Sequence, residues 1–369
     1  MIRIVLAVTN DVVTDNRIHK IAGTLQTNGY DVTVAGFLLK NSTPLAERLY
    51  KVKRFRLCFR KTALFYANYN IKLFFFLLRK RFDIIVANDI DTLAACWLAG
   101  IITKKVLVFD SHELFTGLPE LENRPFIRKV WLMIERLIVP KIRFGYTVSS
   151  PIVEYYRKNY NKNLELIRNV GVYRQGPVFK GFVNNGENIV VYQGSVNVGR
   201  GIELMLNALK YLENIRFWVI GHGTVVDSLK KLACELSVSE KVVFLGRIEL
   251  DKLWGYTENA HIGISLEEDL GLNYRYALPN KLFDYVQSRI PVIVSDLPEM
   301  KALVENYGVG LVLKQRTPEE LANCIKLLVA DREFHSALSQ NLDNAAKELC
   351  WQNEEQKLLS IYQKACGQL

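Results

Sequence analysis

Residues 277–296, Ala-Leu-Pro-Asn-Lys-Leu-Phe-Asp-Tyr-Val-Gln-Ser-Arg-Ile-Pro-Val-Ile-Val-Ser-Asp, join a helix start to a short apolar strand. Pro279 suits the first turn of a helix, where the free amide N–H groups and the side chain of Lys281 can face an anion. Asp284 lies about one turn further along the same face. Residues 290–294 then follow as a buried strand, so the helix starts at a sheet edge, where α/β proteins bind ligands. This order predicts a sugar-nucleotide pocket, with diphosphate at the helix start and ribose near the carboxylate.

A glycine loop upstream, residues 191–202 (Val-Tyr-Gln-Gly-Ser-Val-Asn-Val-Gly-Arg-Gly-Ile), accompanies this segment. Together the two stretches resemble glycosyltransferase family 4, also called group 1, of the GT-B superfamily. In that family such a loop and helix start hold the donor phosphates, and Arg200 takes the family's usual lysine position. The resemblance covers the C-terminal half of the chain strongly and the N-terminal half more weakly.

Two positions depart from the family pattern. Ser195 stands where many members carry a second basic residue, and Tyr276 stands where the first of two glutamates, eight positions apart, usually lies. Asp284 replaces the second glutamate. The resemblance therefore implies diphosphate and ribose contacts without identifying the sugar. The donor-binding residues that it implies are Gly194, Ser195, Arg200, Gly221, Gly223, Arg247, Ile248, Leu278, Asn280, Lys281 and Asp284.

Gly221-His222-Gly223 follows a predicted strand and precedes a predicted helix, so a dinucleotide fingerprint has to be considered. Val226 stands in place of the third glycine, and residues 244–247 lack the acid that would bind a nicotinamide ribose. These differences argue against NAD. In family 4 enzymes a Gly-x-Gly also lies at this place, and the loop matching residues 246–248 lies against the base. A plain strand-to-helix turn is the alternative for each of these residues.

Apolar strands alternate with amphipathic helices along the chain, which predicts two parallel sheets covered on both faces. Residues 171–186 are rich in Gly, Asn and Pro and predict a linker. The expected domains are an acceptor-binding domain at 1–175 and a nucleotide-sugar-binding domain at 176–350, with a helix at 351–369 that the resemblance returns to the first domain. The resemblance implies an α/β fold of GT-B type, with two Rossmann-like, doubly wound domains facing a central cleft. The predicted strands are Ile2–Val8, Asp31–Ala35, Ile84–Ala87, Val106–Phe109, Tyr146–Val148, Asn188–Tyr192, Arg216–Ile220, Lys241–Phe244, His261–Ile264, Pro291–Val294 and Gly310–Val312.

Composition excludes several other classes. The six cysteines show no zinc-type spacing, which favours reduced thiols in a cytosol and no structural disulfide. Residues 1–8 are too short for a signal sequence and predict a first buried strand. The longest apolar stretch, residues 62–78, is interrupted by polar residues and is too short to span a bilayer. We expect neither a cofactor nor a metal, and the resemblance implies metal-independent transfer.

The net charge of +10 belongs to the first half, because residues 1–170 contain 27 Lys and Arg but 14 Asp and Glu. No acid lies between Glu47 and Asp83, and the cations of Arg48–Arg81 are interleaved with aromatic residues. This mixture predicts docking on an anionic membrane surface. No nucleic-acid-binding signature accompanies the charge, so no nucleic acid partner is expected. A solvated face over a core helix is the alternative.

Polar residues follow the predicted strands of the first half, at one rim of the sheet. His112 occupies the place where the family often keeps a histidine near the donor sugar, and a structural cap is its alternative role. With Arg200 and Lys281 it completes the expected catalytic set. Asp89 and Asp91 also suit the N-cap of a helix at Thr92–Ala99; we favour a cap for one of them and leave the other open. The candidate acceptor-side residues are Asp11, Asp15, Asp89 and Asp91.

The sequence thus predicts a retaining glycosyltransferase that moves a sugar from a nucleotide-diphosphate sugar to a glycan or lipid-linked acceptor in surface polysaccharide biosynthesis. It would act in the cytoplasm, peripherally at the inner face of the plasma membrane. Two alternatives stay open. One is a nucleotide-sugar epimerase of the same architecture, and the other is a non-catalytic protein that binds a sugar nucleotide or a polyanion.

Overall fold

A computed structural model describes residues 1–13, 15–40, 42, 44–45, 47–59, 62–118, 121, 124–175, 186–330 and 332–369. Contacts divide the chain into two compact units. Unit 1 comprises Met1–Asn169 and Glu354–Leu369, and unit 2 comprises Val170–Asn353. The central part of the predicted linker, residues 176–185, lies outside the described residues.

Within its described residues, unit 1 has a seven-stranded sheet in the order β3-β2-β1-β4-β5-β6-β7, and every strand pair is parallel. A helix lies between most successive strands, although none joins β2 to β3 among the described residues, and the central strands are buried on both sides and read as apolar runs. The elements are β1 (Arg3–Ala7), α1 (Asn16–Thr27), β2 (Asp31–Phe37), β3 (Lys51–Phe55), α2 (Thr62–Arg79), β4 (Ile84–Asn88), α3 (Ile90–Thr103), β5 (Val106–Ser111), α4 (Pro125–Ile138), β6 (Phe144–Thr147), α5 (Ser150–Tyr160) and β7 (Glu165–Leu166).

Unit 2 has, in its described part, a six-stranded parallel sheet in the order β10-β9-β8-β11-β12-β13. Its core is made by the inner faces of the helices and the strand side chains. The elements are β8 (Asn188–Gln193), α6 (Ile202–Ala208), β9 (Ile215–Ile220), α7 (Val226–Glu235), β10 (Val242–Gly246), α8 (Leu250–Thr257), β11 (Ile262–Ser265), α9 (Leu272–Arg275), α10 (Asn280–Gln287), β12 (Val292–Ser295), α11 (Pro298–Tyr307), β13 (Gly310–Leu313), α12 (Pro318–Ala330) and α13 (Arg332–Glu348).

The last helix, α14 (Trp351–Cys366), contributes most of its length to unit 1. The Tyr362 hydroxyl lies 3.2 Å from the Tyr146 hydroxyl, and both rings are fully buried. The Glu354 carboxylate accepts a hydrogen bond of 3.1 Å from the backbone N–H of Arg168. Unit 1 is therefore built from two stretches of chain that are distant in sequence.

Every predicted strand has a counterpart, whereas β3 and β7 were not predicted. β3 is an edge strand with an exposed charged face, and Lys and Arg at an edge oppose pairing with other chains. β7 has two residues, too few for an alternation pattern. The basic segment Arg48–Arg81 thus divides into an edge strand and helix α2.

Most aromatic side chains of this basic segment pack inside unit 1. Tyr69 is fully buried and its hydroxyl donates to the carbonyl of Val8 at 2.6 Å, while Phe55 is 8% exposed and packs edge-on against Phe76. Phe59 and Phe75 are about half exposed, at 48% each. The aromatic interleaving therefore largely reflects core packing. Among the described helices, none is long and apolar enough to cross a membrane.

Candidate active site

The helix start that the sequence singled out is α10 in unit 2. Pro279 has extended backbone angles and stands at the N-cap, directly before the first turn rather than in it, and the helix begins at Asn280. Lys281 lies in the first turn and its side chain is 8% exposed. Asn280 is exposed and Leu278 is half-buried on either side of Pro279. The start of α10 thus carries a largely buried cation beside free backbone N–H groups.

Lys281 and Arg200 meet at one buried carboxylate, Glu267. The Lys281 Nζ donates to Glu267 Oε1 at 2.8 Å, and an Arg200 terminal nitrogen lies 3.5 Å from the same oxygen. Ser265 Oγ donates to the other carboxylate oxygen at 2.6 Å. Two cations from distant parts of the sequence therefore surround a single anion, which leaves this cluster with a net positive charge.

Aromatic rings support both cations. The Lys281 Nζ lies 4.0 Å from the centre of the Tyr192 ring, and the Arg200 guanidinium lies 4.9 Å from the centre of the Tyr274 ring. A cation over an aromatic face is attracted by the ring quadrupole. The Arg200 Nε is buried and has no hydrogen-bond partner in the structure, so this guanidinium retains capacity to bond another group.

The cluster shifts the pKa values of its charged groups. Burial raises the pKa of Glu267, but Lys281, Ser265 and Arg200 outweigh it, and the pKa of Glu267 falls below its usual value. Burial, together with the charge of Arg200, lowers the pKa of Lys281 more than Glu267 raises it. Glu267 is accordingly held as an anion at the base of the site.

The glycine loop after β8 brings the backbone close to Lys281. Gly194 has a φ of +134°, and a Cβ at this position would lie 3.6 Å from Lys281 Cε. Ser195 is exposed beside it, and its carbonyl accepts a 2.6 Å bond from the Tyr192 hydroxyl. Lys281 thus supplies a cation beside the glycine loop that carries Ser195, the position where many members of the resembled family have a second basic residue.

The loops after β9 and β10 lie beside this glycine loop. A Cβ at Gly221 would lie 1.8 Å from the carbonyl oxygen of Gly194, and one at Gly223 would lie 1.9 Å from that of Val196. Close backbone packing therefore requires glycine at both positions. The Gly221 N–H donates to the carbonyl of Gly246 at 2.8 Å. The loop after β10 carries Arg247, which is exposed, and Ile248, which is half-buried.

Asp284 is half-buried one turn beyond Lys281. Its Oδ2 accepts a hydrogen bond of 2.8 Å from Gln193 Nε2. The Gln193 side-chain oxygen accepts a 2.8 Å bond from the hydroxyl of Thr257, so the amide orientation is fixed from both ends. Gln193 is the last residue of β8 and precedes the glycine loop. The structure therefore joins the predicted ribose residue to the predicted phosphate loop.

A second cluster in unit 1 is centred on His112, directly after β5. His112 Nε2 lies 2.9 Å from Asp110 Oδ2, and its backbone N–H donates to Asp89 Oδ1 at 2.7 Å. His112 Nδ1 is 3.6 Å from Asp89 Oδ2, too long for a direct hydrogen bond. The His112 side chain is 21% exposed, so one part of the ring reaches the surface.

Asp110 connects His112 to Arg17. The Arg17 guanidinium donates to Asp110 Oδ1 at 2.8 Å and to the Ile167 carbonyl at 3.1 Å, and both members of this ion pair are buried. Burial lowers the pKa of His112, but Asp110 and Asp89 outweigh it and raise the pKa to about 9. The imidazole is therefore protonated at neutral pH and acts as a donor.

Asp89 stands at the N-cap position of α3, but the favoured cap bond is not formed. Its backbone has a φ of +60°, a region that favours glycine, and its carboxylate binds His112 instead of the helix N–H groups. Asp91 lies in the first turn of α3 and is 8% exposed. Burial raises the pKa of Asp91 well above its usual value. Asp89 therefore does not form the side-chain cap that was predicted for one of these two residues.

The other two acceptor-side candidates organise the loop after β1. Asp15 caps α1, because its Oδ1 accepts from the Ile18 N–H at 3.0 Å. Asp11 accepts from the Val13 N–H at 3.3 Å and from the Ser42 hydroxyl at 3.2 Å. Across the described residues, no group of three or more His, Cys, Asp or Glu side chains is arranged to hold a metal ion.

Family models match both halves of the chain. The model for glycosyltransferase family 4 matches residues 15–170, and the model for glycosyl transferases group 1 matches residues 178–348. The chain is a group 1, family 4 glycosyltransferase.

Two curated relatives support this membership. An uncharacterized glycosyltransferase of Methanocaldococcus jannaschii is 24% identical over 192 residues, which are 50% of this chain and 46% of the relative. The chitobiosyldiphosphodolichol beta-mannosyltransferase of Candida albicans is 22% identical over 294 residues, 70% of this chain and 62% of the relative. The chain thus spans about half to two thirds of the length of these relatives.

Solved structures confirm the predicted GT-B fold of the glycosyltransferase. Sucrose-phosphate synthase of Thermosynechococcus elongatus has a TM-score of 0.79 at 16% identity, with 100% of both chains covered. The Anabaena protein HepE, solved in complex with UDP and glucose, has a TM-score of 0.76 at 14% identity, with 99% of this chain and 100% of that chain covered.

Sequence reasoning missed several residues around these clusters of the glycosyltransferase. Glu267, which joins Arg200 to Lys281, follows β11 in a short acidic run that carries no motif. Gln193 was seen only as part of a strand and loop. Asp110 lies near the end of β5, and its partner Arg17 sits on α1, 93 residues earlier. A buried arginine on an amphipathic helix gives no signal in the sequence alone.

Proposed function

We propose that the glycosyltransferase transfers a hexosyl or related sugar, with retention of anomeric configuration, from a nucleoside-diphosphate sugar to a glycan or lipid-linked acceptor of a surface polysaccharide. The observation that carries this proposal is the meeting of Arg200 and Lys281 on the buried Glu267, at a helix start and beside a glycine loop. A diphosphate suits such a site because helix N–H groups, loop N–H groups and two cations can all bond its oxygens.

The net charge of the cluster supports donor binding. Glu267 neutralises one of the two cations, so a diphosphate meets an excess positive charge without requiring two unpaired buried cations in the free protein. The same cations stabilise charge that develops on the leaving phosphate. HepE is solved in complex with UDP, which supports a nucleoside-diphosphate donor. The Candida relative is named a chitobiosyldiphosphodolichol beta-mannosyltransferase, which supports a lipid-linked acceptor.

The reaction that we propose needs no protein nucleophile and no metal or other cofactor. The bond between the anomeric carbon and the phosphate oxygen breaks, and a bond from the same carbon to the acceptor oxygen forms on the same face of the sugar. The acceptor proton passes to the leaving phosphate oxygen, and nucleoside diphosphate departs. His112, protonated at neutral pH, contributes a hydrogen bond to the sugar or the acceptor and is not a base there.

Product analysis with a panel of nucleotide sugars and acceptors tests this function. A transferase releases nucleoside diphosphate in step with glycosylated acceptor, and the product has the donor's anomeric configuration by NMR. Conversion of the donor to another sugar nucleotide without an acceptor would instead identify an epimerase. Binding without conversion in all acceptor combinations would identify a non-catalytic protein.

Asp284 is expected to bond the ribose hydroxyls through the carboxylate that Gln193 orients. Asp284→Ala should weaken nucleoside diphosphate binding by about tenfold to a hundredfold, because a hydrogen bond to a charged group contributes about 1.5–3 kcal/mol. Calorimetry with the diphosphate and its 2′,3′-dideoxy analogue is the measurement. The variant should bind the analogue as well as the wild type does. An equal loss for both ligands would mean that Asp284 does not contact ribose.

We also propose that the glycosyltransferase docks peripherally on the anionic inner face of the plasma membrane, through the outer surface of α2, α3 and α4. These helices are neighbours, with contacts from α2 to α3 and from α3 to α4. We call their exposed outer face the α2–α4 surface. Its exposed large apolar side chains are Leu64, Ile71, Phe75, Leu98, Ile101, Ile102, Phe126, Val130, Met133 and Leu137.

Helix α4 shows the charge that such a membrane requires. Phe126, Val130, Met133 and Leu137 follow one helical stripe. The exposed cations Arg128, Lys129 and Arg136 lie on the same helix. Its one acid, Glu135, is buried. A helix with an apolar stripe flanked by cations suits an anionic bilayer interface.

Met133→Ser is expected to lower partitioning onto phosphatidylglycerol vesicles by about tenfold, because a buried Met side chain contributes about 1.5–3 kcal/mol. Leu327→Ser is the matched control, since Leu327 is a helical residue of unit 2 with similar exposure, 51% against 55%. Co-sedimentation across a salt series, with competing polynucleotide, measures both. Binding should fall with salt without vanishing. No pelleting at low salt, or equal losses in the two variants, would contradict docking through this surface.

A further inference from the structure

A pocket of about 360 Å³ opens at the edge of the unit 1 sheet opposite to His112. It is formed where β5 and β6 begin, at Val106 and Phe144, together with the ends of α3 and α14. His112 follows the carboxyl end of β5. The pocket and the His112 cluster therefore lie at opposite ends of the same strand.

Four cations line this pocket, and no acid does among its described lining residues. They are Lys104, Lys105, Lys141 and Arg143. Lys105 lies 3.7 Å from Asp83, but Arg3 already binds that carboxylate through its Nε at 3.1 Å and a terminal nitrogen at 3.2 Å. The charge of Lys105 is therefore only weakly balanced.

Neighbouring side chains hold two of the cations in place. Lys141 Nζ lies 4.8 Å from the centre of the Trp97 ring. Arg143 donates to the side-chain oxygen of Gln368 at 2.5 Å. Neither partner carries a charge, so both cations remain available to an anion while their positions are restricted.

Helix capping accounts for only part of this charge. Lys104 is the C-cap residue of α3, and Lys141 closes the turn after α4, where a cation complements the helix dipole. Lys105 and Arg143 lie beyond the helices, directly before the next strands. A second pocket of about 270 Å³ adjoins the first through Lys105 and adds Arg3, Lys80 and Arg81. The cations thus continue along the amino edge of the sheet.

The rest of the pocket wall is apolar. Trp97, Ile101, Ile142 and Phe144 line it, and Ile101 is also part of the exposed α2–α4 surface. A volume of this size suits a small ligand. The combination of four cations with an apolar wall fits an anionic group attached to a carbon skeleton.

We propose that this pocket binds a phosphate monoester, supplied either as a soluble ester or as a phospholipid headgroup. Lysine and arginine donors bond phosphate oxygens, and the apolar wall contacts the esterified carbon chain. This site does not rest on the proposed transferase function, since it lies at the opposite sheet edge and needs no donor or acceptor sugar.

The test compares the wild type with Lys141→Gln/Arg143→Gln. Calorimetry with glycerol 3-phosphate is one arm, and co-sedimentation with phosphatidic acid in phosphatidylcholine vesicles is the other. We expect the variant to bind the phosphate about tenfold more weakly. Lys230→Gln/Lys231→Gln is the control, because it removes the same charge from exposed positions of unit 2, outside the pocket and outside the Arg48–Arg81 segment. Lys104→Gln/Lys105→Gln replaces the first variant if thermal denaturation shows that it does not fold.

Selective loss of glycerol 3-phosphate binding supports the site with a soluble ester as its source. If the pocket variant selectively loses binding to phosphatidic acid vesicles alone, the result supports the site with a phospholipid headgroup as its source. The proposal is overturned if the wild type binds neither probe, or if the control loses as much affinity as the pocket variant. Sugar transfer is measured separately, so failure here leaves the transferase proposal unchanged.

Discussion

His112→Ala is expected to lower turnover by about 10²- to 10³-fold, the range for removing one positioned hydrogen-bond donor from a reacting centre. The affinity for nucleoside diphosphate should stay nearly unchanged, because the Arg200 and Lys281 cluster lies in the other unit. Steady-state rates with the true substrates and calorimetry with the diphosphate separate the two quantities. Full activity of the variant would reduce His112 to a structural role.

His19→Ala is the matched control, since His19 lies in the same unit and pairs with Tyr50 at 3.1 Å rather than with the Asp110 cluster. We expect its turnover to stay within a few-fold of the wild type. Wild-type activity should also decline as the pH rises above about 9, where His112 loses its proton. An unchanged rate from pH 7 to pH 10 would contradict a protonated His112 in the reaction.

The raised pKa of His112 also predicts how stability depends on pH. The histidine binds its proton more tightly in the folded state than in the unfolded state, where the pKa is about 6.5. Its contribution is fully present below about pH 6.5 and is lost as the pH rises through about 9. Thermal denaturation of the wild type and of His112→Gln across this interval measures this contribution. The difference in stability between the two proteins should shrink as the pH rises.

Lys281→Met is expected to weaken nucleoside diphosphate binding by about tenfold to a hundredfold and to destabilise the fold by roughly 3 kcal/mol, because removing one partner leaves a buried charge uncompensated. The stability loss should lie at the low end of the range for buried pairs, since Arg200 remains 3.5 Å from Glu267. Calorimetry and denaturant unfolding measure the two effects.

The double variant Glu267→Gln/Lys281→Met separates the loss of diphosphate affinity from the loss of stability. Removing both charges should recover most of the stability but none of the affinity. Arg200→Ala, at a side chain that is 26% exposed, should weaken diphosphate binding with a smaller loss of stability. The affinity losses of Arg200→Ala and Lys281→Met should not be additive, because both residues bind one ligand. Wild-type affinity in both single variants would refute a shared diphosphate site.

The fold could be predicted because its strands are buried on both faces and stand out as apolar runs between helical segments. β4 and β12, for example, are buried along their whole length. β3 was not predicted because its outward residues are charged, and charged residues along an edge strand give no apolar alternation. The exposure of the apolar stripe on α4 was also not predicted, because an apolar helix face has the same sequence pattern whether it is buried or open to solvent.

The parts of the candidate site that lie within one short stretch of sequence could be predicted from local patterns. The spacing of Lys281 and Asp284 follows from one helical turn, and the glycine loop was visible from its composition. The long-range partners could not be predicted. Glu267 and Arg17 act through contacts with residues that are distant in sequence, and a single charged residue has no period from which its partner could be inferred.

The position of α14 has a consequence for how the chain folds during synthesis. Unit 2 is one continuous stretch, Val170–Asn353, so its elements are all available before the final helix is made. Unit 1 lacks Glu354–Leu369 until then, and the buried surface around Tyr146 that receives Tyr362 stays uncovered. Domains generally fold as units, with the N-terminal one first. In this chain the unit that begins the sequence is the last one whose residues are all synthesised, so we expect unit 1 to close only after the chain of unit 2 is complete.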